Sequence, residues 1–153
     1  MIYNRTAADV ESAKKVRLEK VQTGLPLTDE EIETLERGTM TISTINRIET
    51  KQKELKILLN GAGYFNINIS VKTWGYSDIF DEENFQRLLD NLNNLKSAFF
   101  VYKDTPATPS ISFDYQSINS LEKILFDLES MVTDMKGRYR QCGTFQCGEA
   151  NEL

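Results

Sequence analysis

The chain has 153 residues, 40% hydrophobic and 27% charged, with 18 basic and 23 acidic side chains and a net charge of −5. That length suits one domain able to bury about two-thirds of its unfolded surface, and the acidic balance argues against a broad phosphate-binding surface and so against nucleic acid as a partner. Histidine is absent, which removes the side chain most used for general acid–base work, catalytic triads and zinc ligation near neutral pH.

The opening Met1-Ile2-Tyr3-Asn4-Arg5-Thr6 lacks the basic start and apolar run of a signal peptide, so a protein that is cytosolic when made is expected. Thr6 can cap a first helix, with Asp9 in the capping-box position. Val10, Ala13, Val16, Arg17 and Val21 give this helix only a thin apolar stripe, which suits a surface element or one that reaches a neighbouring chain. Gly24-Leu25-Pro26 ends it. Thr28-Asp29-Glu30-Glu31 is a capping box for a short second helix with Ile32 and Leu35 inward and Gly38 as its C-cap.

A third helix starts near Thr41 or Ser43, with Ile45, Ile48, Gln52, Leu55, Leu58 and Leu59 on one face. The period then changes. Phe65, Ile67, Ile69 and Val71 alternate with polar residues, which predicts a half-buried strand over 64–72. A lone strand leaves backbone groups unpaired, so a partner is required. Trp74-Gly75-Tyr76-Ser77 reads as a turn. A fourth helix spans 81–99, with Phe85, Leu88, Leu89, Leu92 and Leu95 inward, and the proline-bearing stretch 104–109 is a linker. A fifth helix spans 114–136, its stripe running from Ile118 to Met135.

The segment Ile45-Asn46-Arg47-Ile48-Glu49 returns 73 positions later as Ile118-Asn119-Ser120-Leu121-Glu122. A doubled helix–helix–strand unit is one reading; the other is a chance match between amphipathic helices. The doubled reading makes the tail, with Tyr139 and Phe145, the partner of the strand bearing Phe65 and Ile67, within one chain or between subunits. The fold expected is α+β, mostly α: a bundle of about five helices with a small two-stranded sheet. It forms a single domain over 1–153, divided into a peripheral N-terminal helix (1–25), a helical core with the strand (26–137) and an extended tail (138–153).

Few residues suggest chemistry. Asn46 and Asn119 lie within apolar stripes, three residues before a glutamate, and form a candidate polar layer where the third and fifth helices cross. The bland alternative is an asparagine at the stripe edge, solvated or paired with its own glutamate. Trp74, the only tryptophan, is a candidate interface anchor or a cap over the core. The carboxylate clusters at 29–31 and 81–83 complement helix dipoles in first turns, which accounts for them without catalysis. No phosphate-loop or nucleophile-elbow pattern is present, and no cofactor, metal or small-molecule substrate is expected. No apolar run approaches the roughly 20 residues of a membrane span. Cys142 and Cys147 would lie about 17 Å apart in a straight strand at about 3.4 Å per residue, against the roughly 7 Å a disulfide tolerates. Reduced thiols, a disulfide across a hairpin loop and a bridge between chains all stay open.

In order along the chain, Tyr3-Asn4-Arg5-Thr6, Leu27-Thr28-Asp29-Glu30-Glu31, Ile45-Asn46-Arg47-Ile48-Glu49, Val71-Lys72-Thr73-Trp74, Leu88-Leu89-Asp90-Asn91-Leu92, Thr105-Pro106-Ala107-Thr108-Pro109, Ile118-Asn119-Ser120-Leu121-Glu122 and the terminal Cys142-Gly143 and Cys147-Gly148-Glu149 form a series. It resembles a family of small structural proteins encoded in the tail region of phages and prophages of Firmicutes. The resemblance implies a non-enzymatic virion protein, associated with tail, baseplate or fibre, that forms homo-oligomers and docks to other virion proteins. The alternative is a phage-encoded adaptor or regulator of a host protein, which would present an exposed apolar groove on a monomer or dimer.

Overall fold

The structure, a computed structural model, describes residues 1–141, with side chains through residue 137. Five helices occupy these residues: α1 (Ala7–Thr23), α2 (Asp29–Gly38), α3 (Ile42–Asn60), α4 (Glu82–Ala98) and α5 (Tyr115–Gln141). Their starts follow from local chemistry. Thr6 and Asp9 close a reciprocal capping box on α1, as Thr28 and Glu31 do on α2. Thr41 and Asp81 cap α3 and α4 by accepting from the N–H groups of Thr44 and Asn84. Each such cap satisfies amides that have no partner inside the helix.

α1 and α2 form an antiparallel hairpin. Asp9 meets Arg37 at one end, and Lys20 meets Glu31 at 2.8 Å at the other. The turn is made by Gly24, left-handed at φ 67°. Gly38 is the last residue of α2, with Thr39 as the cap, and its role is close packing: a Cβ there would sit 2.2 Å from the Asp9 carbonyl oxygen and 2.3 Å from Ala13 Cβ.

The other three helices run parallel. Arg47, Lys51 and Gly61 of α3 face Glu122, Glu129 and Lys136 of α5 in ascending order, and Glu49 and Gln52 of α3 face Arg87 and Asn91 of α4. Parallel neighbours require the chain to travel back between them. An α-helix rises about 1.5 Å per residue and extended chain about 3.3 Å, so an extended return is the shortest. Residues 64–74 make that return between α3 and α4. The core between the helices holds Ile48, Leu55 and Leu59 from α3, Phe85, Leu88, Leu92 and Leu95 from α4, and Leu121, Leu125, Leu128 and Val132 from α5. These are the stripes expected from helical periodicity.

The small two-stranded sheet is overturned. Among the described residues there is no strand; the architecture is all helical with an extended crossover. Residues 64–72 form no strand; at Asn68, Ser70 and Lys72 helix side chains take the place of a neighbouring strand. Asn66 adopts φ 67°, which interrupts the alternation: Ile67 is buried, whereas Phe65 is 69% exposed. The tail expected to supply the partner strand begins differently as well, since α5 continues through Gln141. The side chain of Tyr139, and Phe145, Cys142 and Cys147 altogether, lie outside the described residues.

Candidate functional site

The most specific constellation is a set of asparagine clamps on extended backbone. Asn46 on α3 accepts from the Trp74 N–H through Oδ1 at 2.8 Å and donates through Nδ2 to the Trp74 carbonyl at 2.9 Å. Asn91 on α4 does the same to Ser70, at 2.9 and 2.7 Å. Asn119 on α5 does so to Arg5, at 3.1 and 2.9 Å. A carboxamide offers one acceptor and two donors in a plane, so it reproduces the two bonds that an opposing residue exchanges in an antiparallel ladder.

The repeated pentapeptide builds two equivalent versions of this clamp. On α3, Glu49 follows Asn46 by one turn. It accepts from the Lys72 N–H at 3.1 Å and the Trp74 indole Nε1 at 3.0 Å, and pairs with Arg87. On α5, Glu122 follows Asn119 by one turn. It accepts from the Ile2 N–H at 3.2 Å, pairs with Arg5 at 2.5 Å and pairs with Arg47 at 2.9 Å. In both copies an extended segment runs antiparallel to the helix. Asparagine holds one residue by its backbone, and glutamate takes an upstream N–H and the held residue's side chain. An arginine from a helix completes the charge balance. Glu49 and Glu122 are buried, and a buried carboxylate is tolerated only when paired and fully hydrogen-bonded.

Side chains on α4 continue the grip: Asn94 donates to the Asn68 carbonyl at 2.7 Å and Arg87 to the Ser70 carbonyl at 2.5 Å. Asn91 is itself braced by Gln52, which in turn donates to the Leu88 carbonyl. Backbone groups at every second residue, 68, 70, 72 and 74, are thus met by side chains in the order Asn94, Asn91, Glu49, Asn46. The two asparagines expected to meet where α3 and α5 cross are therefore each spent on an extended segment. The polar links between the two helices are Arg47 to Glu122 and Lys51 to Glu129.

Trp74 is 4% exposed, with Phe80 edge-on at 5.1 Å and the Lys72 ammonium 4.0 Å above its ring. It also lines an apolar groove of about 430 Å³ between α2, the start of α3 and the turn after Trp74. Leu27, Ile32, Leu35, Ile42 and Tyr76 line it, and Tyr76 is 99% exposed. Phe65 and Ile67 lie elsewhere, on the extended crossover. The remaining participants, Glu49, Arg87, Asn91, Asn94 and Glu122, were not singled out as site residues from sequence. Their signal was available: Arg87, Asn91 and Asn94 recur at helical spacing along one edge of the α4 stripe. Among the described residues no cluster of three metal-ligating side chains occurs, and no helix is long and apolar enough to cross a membrane.

No protein family, curated protein or solved structure matches this chain.

Proposed function

We propose that the protein is a structural component of a phage particle, associated with tail, baseplate or fibre, that works by self-association and by contacts with other virion proteins rather than by catalysis. The observation that carries the self-association is an exposed apolar stripe, Leu18, Val21 and Leu25, on the outer end of the α1–α2 hairpin. Leu18 and Val21 one turn apart on an otherwise charged helix, with Leu25 just past its Gly24 cap, are 60–78% exposed and suit contact with another chain. The virion assignment rests on the resemblance of the ordered motifs. The buried carboxylates are consistent with a structural role: Glu49 and Glu122 are spent on the chain's own backbone and arginines, and Asp127 on Thr105 and Lys123.

The groove over Trp74 favours a second reading, an adaptor that binds a host protein. Light scattering coupled to gel filtration separates the two. A discrete oligomer of the 17.5 kDa chain that survives reductant supports the structural protein. A monomer at the highest soluble concentration supports the adaptor.

A further inference from the structure

We infer that the groove over Trp74 is the receptor for the α1 stripe of a second copy of this chain, an inference that rests on the self-association reading and specifies its contact. Shape is the first argument. The groove presents Ile32, Leu35, Ile42, Trp74 and Tyr76 around about 430 Å³, which is room for a few aliphatic side chains. The stripe offers such side chains: Leu18 and Val21 stand at i and i+3 on α1, the spacing at which a helix lays an apolar edge into a groove, and Leu25 follows just past the Gly24 cap.

Charge is the second argument. The helix that forms one wall, α2, carries Asp29, Glu30, Glu31, Glu33 and Glu36 against Arg37, a balance of −4. The stripe-bearing part of α1, residues 14–21, carries Lys14, Lys15, Arg17 and Lys20 against Glu19, a balance of +3. Much of this charge is not consumed within the chain. Lys15 and Arg17 make no salt bridge among the described residues, and neither do Asp29, Glu30 and Glu33. Opposite charges flanking an apolar contact set register and exclude like-charged partners. Stripe and groove lie at different places on one molecule, so the contact joins two copies reciprocally as a closed dimer or head to tail as a ring or fibre.

The test uses the full chain and two substitutions at exposed sites, Val21→Glu in the stripe and Ile32→Glu in the groove, with circular dichroism to verify that each folds. The expected result is that wild type runs at two or more times 17.5 kDa and that each variant falls to the monomer mass. A mixture of two chains checks the pairing directly. Both carry Cys142→Ser and Cys147→Ser; one adds Leu18→Cys, the other Tyr76→Cys. A short bis-maleimide is expected to join them to each other in preference to like chains. An oligomer whose mass neither substitution changes overturns the stripe–groove contact and leaves self-association standing. A monomeric wild type overturns both.

Discussion

Asn46, Asn91 and Asn119 act as single-residue substitutes for a β-strand, and their replacement exposes what each one satisfies. In Asn91→Ala the Ser70 N–H and the Gln52 side-chain oxygen lose their partner together, while the Ser70 carbonyl keeps only Arg87. A buried group left unsatisfied costs about 1–3 kcal/mol, so a loss of about 3 kcal/mol is expected in urea denaturation; a change below about 1 kcal/mol would mean that water replaces the carboxamide freely. Glu122→Ala is expected to cost more. Arg5 is 1% exposed at its side chain, and its Nε and Nη2 already find no hydrogen-bond partner among the described residues. Removing its counter-charge leaves a buried cation unpaired, at about 3–5 kcal/mol. Both effects are read from the shift of the denaturation midpoint at unchanged slope.

At the scale of the element, the helices are set by their first turns and by one glycine. Gly38→Ala places a methyl against the Asp9 carbonyl and Ala13. The clash is with backbone, which cannot swing aside, so about 1–3 kcal/mol of destabilisation is expected from overpacking, seen as a lower thermal midpoint. The caps add a pH dependence. Hydrogen bonds from Thr6 hold Asp9 below its ordinary 3.8, and Lys20 followed by the Thr28 N–H holds Glu31 below 4.5. The Asn84 N–H lowers Asp81, and the Ser112 hydroxyl followed by the Ser117 N–H lowers Asp114. All four carboxyls bind protons more weakly folded than unfolded. Their contribution is therefore complete above the unfolded values and is lost as pH falls through the folded ones. Thermal melts across pH 6 to 2 are expected to stay flat until about pH 4.5, the ordinary value for Glu31, and then to decline. A midpoint that rises on acidification would contradict this assignment.

Across the whole molecule, stability is unevenly distributed. The α3–α4–α5 bundle contains nearly all fully buried large side chains, whereas α1 buries only Ala13 and α2 only Gly38. The hairpin is tied to the bundle through Arg5 on the α5 clamp and through Arg47, which reaches both Glu36 and Glu122. Amide hydrogen exchange is expected to be faster over 7–38 than at the buried positions of α3 and α5, and to accelerate selectively there in Glu122→Ala. Uniform protection across all five helices would show that the hairpin and bundle open as one unit.

The helices, their caps and the core faces were legible in the amino-acid sequence because they follow from contacts within a few residues: Thr6 with Asp9, Thr28 with Glu31, and leucines at three- and four-residue spacing. The repeat around Asn46 and Asn119 was legible too, but only as a pattern. What it holds was not, because Trp74 and Arg5 lie 28 and 114 residues away from their asparagines. The alternation at 65–71 wrongly implied a strand in a sheet. Periodicity of two reports which way side chains point; it does not report whether the backbone bonds go to another strand or to carboxamides on neighbouring helices. Local sequence determined five helices. Tertiary structure alone decided that three helices run parallel, that asparagine and glutamate side chains complete the crossover's hydrogen bonds, and that α2, α3 and Trp74 enclose a groove, since each of these depends on groups far apart in the chain meeting in space.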